Sequence, residues 1–139
     1  MKICSFGETL IDFTPVGVSE NGNIIFERNP GGAPANLAVA AVKHGVQASF
    51  IGEVGDDIFG QFLNEKLKGE GVDTEYMVIN SRYKTTLAFV QLDEKGERSF
   101  CFYRNPGADT MIESQAVNLR AIDECEIFHY GSVSMTHNP

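Results

Sequence analysis

Two glycines followed by an asparagine are the residues of this chain best suited to holding a ligand. Gly31 and Gly32 carry no Cβ, so their backbone can come close to a ligand and adopt positive φ. Pro34 fits the first position of a helix that starts there, because its φ is already helical. The free N–H groups of a helix start favour oxygen-rich or anionic ligands. Asn36 adds amide donors and an acceptor, and the combination suits a polyhydroxy ligand.

Each polar candidate also has a plainer interpretation. A glycine pair before a helix is common in loops, so this motif alone leaves a binding site and an ordinary turn as open alternatives. Asp12 lies between Ile11 and Phe13 in a strand-like stretch that ends at Pro15. Strand alternation places its carboxylate on the face opposite those apolar neighbours. Without further context, a solvated surface carboxylate is the interpretation to favour for Asp12.

The predicted elements around these residues alternate between strands and helices, as in a parallel α/β sheet. Small apolar residues at 37–42 predict a helix that is buried on nearly all sides and ends at Gly45. Residues 52–57 predict a loop in which a carboxylate can cap the next helix, whose apolar positions over 58–67 follow helical spacing. Short apolar runs predict core strands at 3–6, 47–51 and 127–130.

A predicted β-hairpin interrupts this alternation of strands and helices. Residues 85–92 and 99–103 alternate like strands around a charged turn at 93–97. An antiparallel hairpin in an α/β chain needs a partner for its apolar face, and the short strands around Phe13 and Phe26 can supply one. We therefore predict a small sheet that stands beside the main sheet as a lid. The lid strands are expected within residues 8–28 and 84–104, and the α/β core in the remainder.

Composition limits the classes of partner. The chain has 139 residues, enough for one compact domain, and 42% of them are hydrophobic. Its formal net charge is −8 without a block of like charges, so we expect neither nucleic acid nor an anionic membrane as a partner. An acidic chain can still bind a nucleotide, whose charge is met locally by magnesium and helix N-termini.

The cysteines and histidines do not form a metal motif. Cys4, Cys101 and Cys125 are scattered without metal-ligand or CxxC spacing, which predicts reduced, buried thiols in the cytoplasm. His44, His129 and His137 also lack ligand spacing and are interpreted as structural or surface residues.

Several glycines and small residues match a known signature in order and spacing. They are Gly31, Gly32, Pro34, Asn36, Ala38, Gly45 and Gly55. Together with the opening stretch 7–12 and residues 102–104, they resemble the ribokinase/pfkB carbohydrate kinases, and within that family the bacterial fructokinases. The resemblance covers essentially the whole chain. It implies a ribokinase-like, three-layer α/β/α fold with a β-sheet lid, of which residues 1–139 form the amino-terminal part with an incomplete core.

The same resemblance implies a sugar held between the α/β domain and the lid. The residues it assigns to sugar binding are Asp12, Gly31, Gly32, Asn36, Phe102 and Arg104. Asp12 then becomes a ligand residue that accepts hydrogen bonds from sugar hydroxyls. Phe102 stands where related acid-sugar kinases have a ligand-contacting tyrosine, which disfavours an acidic sugar. Arg104 would reach the sugar from the lid base, with a solvated arginine as the alternative.

The reaction implied is transfer of the ATP γ-phosphoryl group to a primary sugar hydroxyl, with Mg²⁺ as the metal. The family carries its catalytic aspartate and anion hole in a signature of the form Asp-Thr-x-Gly-Ala-Gly-Asp, and residues 1–139 contain no such stretch. No phosphate-binding P-loop replaces it. We therefore assign no catalytic and no metal-binding residue, and expect this chain to shape a sugar pocket without catalysing the transfer alone.

Two other functions stay under consideration. A non-catalytic sugar-binding or regulatory module, completed by a homodimer through the lid, fits the missing signature. A dinucleotide-binding oxidoreductase ranks lower, because the first strand is not followed by Gly-x-Gly-x-x-Gly. Among sugars fructose leads, with ribose, other ketoses, nucleosides and deoxy-keto acids as alternatives.

Overall fold

The computed structural model describes residues 1–92 and 98–136. Its strands are β1 (Lys2–Phe6), β2 (Leu10–Val18), β3 (Ile24–Gly31), β4 (Gln47–Gly55), β5 (Met77–Asn80), β6 (Leu87–Leu92), β7 (Arg98–Tyr103) and β8 (Ile127–Tyr130). Its α-helices are α1 (Ala33–Lys43), α2 (Ile58–Gly69) and α3 (Arg120–Asp123), and short 3₁₀ helices span Ala108–Thr110, Ser114–Ala116 and Val133–Met135. Within the described ranges, no helix is both long and apolar enough to cross a bilayer.

The main sheet is parallel, with the strand order β5-β4-β1-β8. One face packs against α1 and α2 through a cluster that includes Ala38, Phe50 and Leu67. The other face is covered by the segment that contains α3, through Cys4, Ile51 and Ala121. Burial on both faces explains the apolar runs of β1 and β4, and the layers confirm the predicted α/β architecture. Strand β8 forms as predicted but is not a core strand, because it lies at the sheet edge with Ile127, Phe128 and Tyr130 exposed.

Strand β4 is longer than the sequence predicts. Residues 52–55 were expected in a loop, because two glycines and a glutamate follow the apolar run there. They belong to the strand because β5 pairs in parallel with them, from Gly52 opposite Met77 to Gly55 opposite Asn80. The next helix then begins as predicted, with Asp57 accepting hydrogen bonds from the N–H groups of Phe59 and Gly60.

Helix α1 is less buried than predicted. Only one of its faces meets the sheet, so its buried residues are Pro34, Ala35 and Ala38, whereas Ala40 is exposed. The helix starts at Ala33, one residue before Pro34. Its end is as predicted, since Gly45 has a φ of 78°.

The second sheet has the order β3-β2-β6-β7 and confirms the small sheet predicted beside the main one. Strands β6 and β7 form the predicted antiparallel hairpin, whose charged turn at 93–97 lies outside the described residues. Strand β2 pairs antiparallel with β3 and parallel with β6. The predicted end of β2 at Pro15 is wrong, because a register shift between Pro15 and Gly17 lets the strand pass the proline and continue to Val18.

Aromatic side chains join the second sheet to α2. Phe13 on β2 lies 5.9 Å from the ring of Phe59 on α2, edge to face, and stacks at 4.9 Å on Phe89 of β6. At the junction Ile11, Val54 and Leu63 form a fully buried cluster. One face of the second sheet thus points to α2, and the other face carries Asp12 together with Ala88 and Phe102.

The thiols differ in exposure. Cys4 is buried in the core and Cys125 is half-buried, but Cys101 is exposed, so the prediction of buried thiols is wrong for Cys101. The reason is its place on β7, which is the outermost strand of the second sheet. All three cysteines are free.

Candidate functional site

Asp12 and Gly31 meet where β2 and β3 run side by side. The antiparallel register places Leu10 opposite Gly31 and Asp12 opposite Asn29. The Asp12 carboxylate lies against the Gly31 Cα, so closely that a Cβ on Gly31 would overlap Asp12 Oδ2. Asp12 is half-buried, and this burial raises the pKa of its carboxyl group. Glycine at position 31 is therefore required by the Asp12 carboxylate itself, independently of any ligand.

Gly32 is held against the segment that leads into β2. Its φ is 107°, and a Cβ there would overlap the carbonyl oxygen of Glu8 and lie 2.9 Å from Thr9 Cα. The Thr9 hydroxyl donates to the Gly31 carbonyl oxygen at 3.3 Å. The N–H of Ala33 donates to Glu8 Oε1 at 3.1 Å. Glu8 and Thr9 thus fix the turn that joins β3 to α1.

The start of α1 is already supplied with a carboxylate. The sequence predicted free N–H groups there, but the Ala33 N–H is bonded to Glu8, Pro34 has none, and the Asn36 N–H donates to the Gly32 carbonyl at 2.9 Å. The other Glu8 oxygen, Oε2, is buried and has no hydrogen-bond partner within the part of the chain described. A carboxyl group thus stands at the helix start, where an anion would otherwise be favoured, while Lys43 and Lys66 line the neighbouring cavity.

Asn36 lies in the first turn of α1 with its side chain exposed. It lines a cavity of about 230 Å³ between α1 and α2, together with Thr9, Pro30 and Gly31. Asp12 does not line this cavity. The two polar candidates therefore meet only through Gly31, which contacts the Asp12 carboxylate on one side and borders the cavity on the other.

Phe102 stands in one row with Asp12 across the second sheet. Asp12 on β2 is opposite Ala88 on β6, and Ala88 is opposite Phe102 on β7. Residues directly opposite one another share a face of the sheet. At about 4.8 Å between strands, the Asp12 and Phe102 backbones are about 10 Å apart. Asn29, which lies opposite Asp12 on the other side, extends the row and was not predicted from the sequence.

Arg104 follows Phe102 by two residues and lies over it. Its Cζ is 5.0 Å from the centre of the Phe102 ring, and its Nη1 forms an ion pair with Asp109 Oδ2 at 3.7 Å. The Arg104 side chain is 23% exposed, so it is not the solvated arginine of the alternative interpretation. Both Phe102 and Arg104 line a second cavity, of about 550 Å³, with Arg82 and Lys84.

The predicted residues thus occupy neighbouring but separate surfaces. Gly31, Gly32 and Asn36 surround the start of α1, while Phe102 and Arg104 lie at the base of the β6–β7 hairpin. Asp12 connects them, through its contact with Gly31 and its row with Phe102.

Three polar residues near the site were missed in the sequence, namely Glu8, Asn29 and Asp109. Of these, only Asn29 left a usable signal, since knowing the β2–β3 register would have placed it opposite Asp12.

No group of three or more His, Cys, Asp or Glu side chains within residues 1–92 and 98–136 could hold a metal ion. His44 is exposed, and His129 Nδ1 lies 3.0 Å from the Ser5 hydroxyl, which fits a structural role. His137 lies outside the described residues.

The pfkB family carbohydrate kinase model matches residues 1–138 of the chain. A curated relative, "Probable fructokinase-5" of Arabidopsis thaliana, is 48% identical over 139 residues, which are 99% of this chain and 43% of that protein. The crystal structure of a fructokinase from Xylella fastidiosa superposes with a TM-score of 0.91 at 42% identity, covering 98% of this chain and 42% of that one. Another structure of the Xylella enzyme contains bound ATP.

A fructokinase double mutant from Vibrio cholerae O395, solved with fructose, ADP and a potassium ion, has a TM-score of 0.83 at 31% identity. The match covers 99% of this chain and 42% of the Vibrio chain. The chain therefore spans about two fifths of the length of the relatives it matches.

Proposed function

The chain belongs to the pfkB family of carbohydrate kinases, and from this premise we propose that it supplies the sugar-binding part of an ATP-dependent kinase for fructose. The observation that carries the proposal is the contact between Asp12 and Gly31. It joins a half-buried acceptor of hydroxyl hydrogen bonds to the turn at the start of α1. The second sheet acts as a lid over the sugar, which lies between that turn and the row from Asp12 to Phe102.

Each residue has a role that fits its chemistry. Asp12 accepts hydrogen bonds from sugar hydroxyls, which replace the water lost when the site closes. Asn36 contacts another hydroxyl from the first turn of α1, and Gly31 and Gly32 bring the backbone near the ring. Phe102 supplies an apolar wall. Arg104 donates to a ring or hydroxyl oxygen from the lid base.

Fructose is the sugar we propose because the relatives are named fructokinases and one was solved with fructose bound. At the turn the charges agree with an uncharged sugar, whereas the cavity at the lid base is lined by the cations Arg82, Lys84 and Arg104. Asp12 and Glu8 place carboxylates beside the turn, which disfavours an anionic sugar there. Phe102 lacks the hydroxyl with which a tyrosine would bind an acidic group.

ATP and Mg²⁺ do not fit the residues of this chain. Relatives were solved with ATP or ADP, but residues 1–139 contain neither a phosphate-binding P-loop nor the Asp-Thr-x-Gly-Ala-Gly-Asp stretch. The described residues hold no cluster of three metal ligands. We therefore derive no catalytic step through either group. Phosphoryl transfer from ATP with Mg²⁺ is proposed for a longer protein in which other residues supply the nucleotide site and the catalytic base.

The second candidate function is a non-catalytic sugar-binding module. Both functions require sugar binding, and only the first requires turnover of ATP.

The test compares residues 1–139 with the protein encoded by the whole reading frame. Fructose and ribose binding is measured by calorimetry, and ADP release by a coupled assay. We expect both proteins to bind fructose and only a longer protein to release ADP. Fructose binding without ADP release from the whole reading frame would favour the non-catalytic module, and absence of fructose binding from both proteins would refute the sugar-site assignment. ADP release by residues 1–139 alone would refute our assignment of catalysis to other residues.

We further propose a homodimer through the lid. The distal end of β2 and β3 exposes apolar side chains, with Val18 65% and Ile24 63% accessible. A second copy of the chain would bury them. Comparing the sedimentation coefficient of the protein with that of its Ile24→Glu variant tests this proposal, and an unchanged coefficient would refute it.

From the free thiols and the net charge of −8 we also propose a cytoplasmic protein that binds neither nucleic acid nor membranes.

A further inference from the structure

We propose that Asp109 is a positioning residue that holds the Arg104 guanidinium in place for the sugar. The inference rests on the proposed function, because it assumes that Arg104 contacts the sugar. Asp109 itself is 1% exposed and lies in the 3₁₀ helix Ala108–Thr110, behind Arg104. It would act through Arg104.

The Asp109 carboxylate is fixed on one side by the second sheet. The Thr86 hydroxyl donates to Asp109 Oδ1, and Thr86 precedes β6 directly. The Thr86 carbonyl in turn accepts the N–H of Ile11 on β2 at 3.1 Å. A side chain at Gly107 would overlap the Thr86 hydroxyl and lie 2.7 Å from Asp109 Oδ1, so the fit around this pair requires glycine there. Asp109 therefore has a defined place relative to the strand that carries Asp12.

Arg104 is held between Asp109 and Phe102. Its Nη1 is 3.7 Å from Asp109 Oδ2, and its Cζ lies 5.0 Å from the Phe102 ring centre. Contacts at both places restrict the side-chain torsions of a long residue that otherwise has many rotamers. Arg104 Nη1 is also buried, and within the described residues it makes no hydrogen bond. Charge attraction to Asp109 thus sets the position of Nη1, while the side chain as a whole stays 23% exposed and carries further N–H donors on Nε and Nη2 for a ligand.

The charge of Asp109 matters beyond its shape. Buried carboxylates need a cation nearby, and Arg104 is the cation placed against Asp109. Neutralising Asp109 would weaken the attraction that draws the Arg104 guanidinium inward.

The test is a double-mutant cycle in the protein encoded by the whole reading frame. Fructose affinity is measured by calorimetry for the wild type, Asp109→Asn, Arg104→Ala and the double variant. Asparagine keeps the size of Asp109 and can still accept from Thr86. We expect each single variant to bind fructose about tenfold more weakly or worse, the usual effect of removing a charged partner. In the Arg104→Ala background, Asp109→Asn should change the affinity less than about twofold.

A purely structural role for Asp109 gives a different pattern. It predicts losses that multiply in the double variant, and that result would overturn the proposal, as would unchanged affinity for Asp109→Asn alone. If Asp109→Asn does not fold, Thr86→Val loosens Asp109 at nearly constant volume. It should weaken fructose binding in the wild type and leave it unchanged in Arg104→Ala.

A second readout needs no sugar. The NMR signal of the Arg104 Nε–H should be resolved in the wild type and averaged by motion in Asp109→Asn, and identical signals would overturn the proposal. If wild-type protein bound no fructose while this NMR change occurred, the proposed function would fail and the positioning of Arg104 by Asp109 would stand.

Discussion

The Asp12 carboxylate occupies the volume that a side chain at Gly31 would need. The two residues lie 19 positions apart in the chain, and the β2–β3 hairpin brings them together through the pairing of Leu10 with Gly31. Glycine at position 31 is therefore a condition for the orientation of Asp12. The position of the Asp12 side chain thus depends on the absence of a side chain at Gly31.

Gly31→Ala is expected to abolish measurable fructose binding. The new methyl group would overlap Asp12 Oδ2 and force the carboxylate out of its position, while Leu10 Cδ1 at 3.0 Å limits any other adjustment. Gly69→Ala is the matched control, because among the described residues nothing beyond the local helix backbone lies within 4 Å of a Cβ there, and alanine suits the last residue of α2. Calorimetry with fructose checks both variants, and undiminished binding by Gly31→Ala would contradict the assignment of Asp12.

Asp12→Asn is expected to weaken fructose binding and to raise the melting temperature at neutral pH. Burial raises the Asp12 pKa, so the folded state disfavours the ionised carboxylate. The resulting loss of stability develops as the pH rises from the ordinary aspartate value of about 3.9 towards the higher folded pKa, and it is complete above that pKa. Asparagine carries no charge and removes this loss.

Thermal unfolding from about pH 3 to about pH 8 checks this expectation, because roughly this range takes an aspartate from its protonated to its ionised form. The melting temperatures of wild type and Asp12→Asn should converge at the acidic end. Glu20→Gln serves as the control, because Glu20 is exposed on the connection between β2 and β3. A lower melting temperature for Asp12→Asn at neutral pH would show that the charge of Asp12 stabilises the fold.

Local patterns predicted the elements that carry the site, but not their pairing. The alternation Ile11, Asp12, Phe13 correctly predicted opposite faces, since Ile11 is in the core and Phe13 packs on α2. The length of β4 was missed because its last residues become a strand only through pairing with β5, more than 20 residues later.

The polar contacts of the site show the same limit. Asp109 meets Thr86 across 23 residues, and Glu8 meets Ala33 across 25. The periodicity of the sequence does not predict contacts between residues so far apart in the chain. A helix start directly after the glycine pair was predicted, but the group that accepts its first N–H was not, because a carboxylate from a distant segment supplies it.

Glu8→Ala is expected to destabilise the turn at the start of α1. The Ala33 N–H would lose its acceptor, and an unsatisfied backbone group of this kind costs about 1–3 kcal/mol of unfolding free energy. Glu8→Gln is the matched control, because the amide oxygen can still accept from Ala33. Urea unfolding should place Glu8→Gln near the wild type and Glu8→Ala clearly below it. Equal stability of the two variants would show that the hydrogen bond to Ala33 does not hold the turn.

Asp57 is expected to make stability depend on pH at the join between the two sheets. Burial by itself would raise the Asp57 pKa, but hydrogen bonds from the N–H groups of Thr85, Gly60 and Phe59 and from the Thr85 hydroxyl outweigh it and lower the pKa. These bonds connect α2 to the segment before β6. The ionised carboxylate therefore stabilises the fold at neutral pH.

The sign of this dependence follows from the lowered pKa. The contribution is complete above the ordinary aspartate pKa of about 3.9 and disappears as the pH falls through the lower folded value. Asp57→Ala should cost about 1 kcal/mol or more at pH 7, the usual effect of losing a helix N-cap. The deficit should vanish in acid, where protonation removes the charge of Asp57 from the wild type. Asp56→Asn is the control, since Asp56 is exposed beside it, and its unfolding free energy should match the wild type at each pH. A deficit of Asp57→Ala that persisted unchanged in acid would mean that the side chain acts through packing and not through its charge.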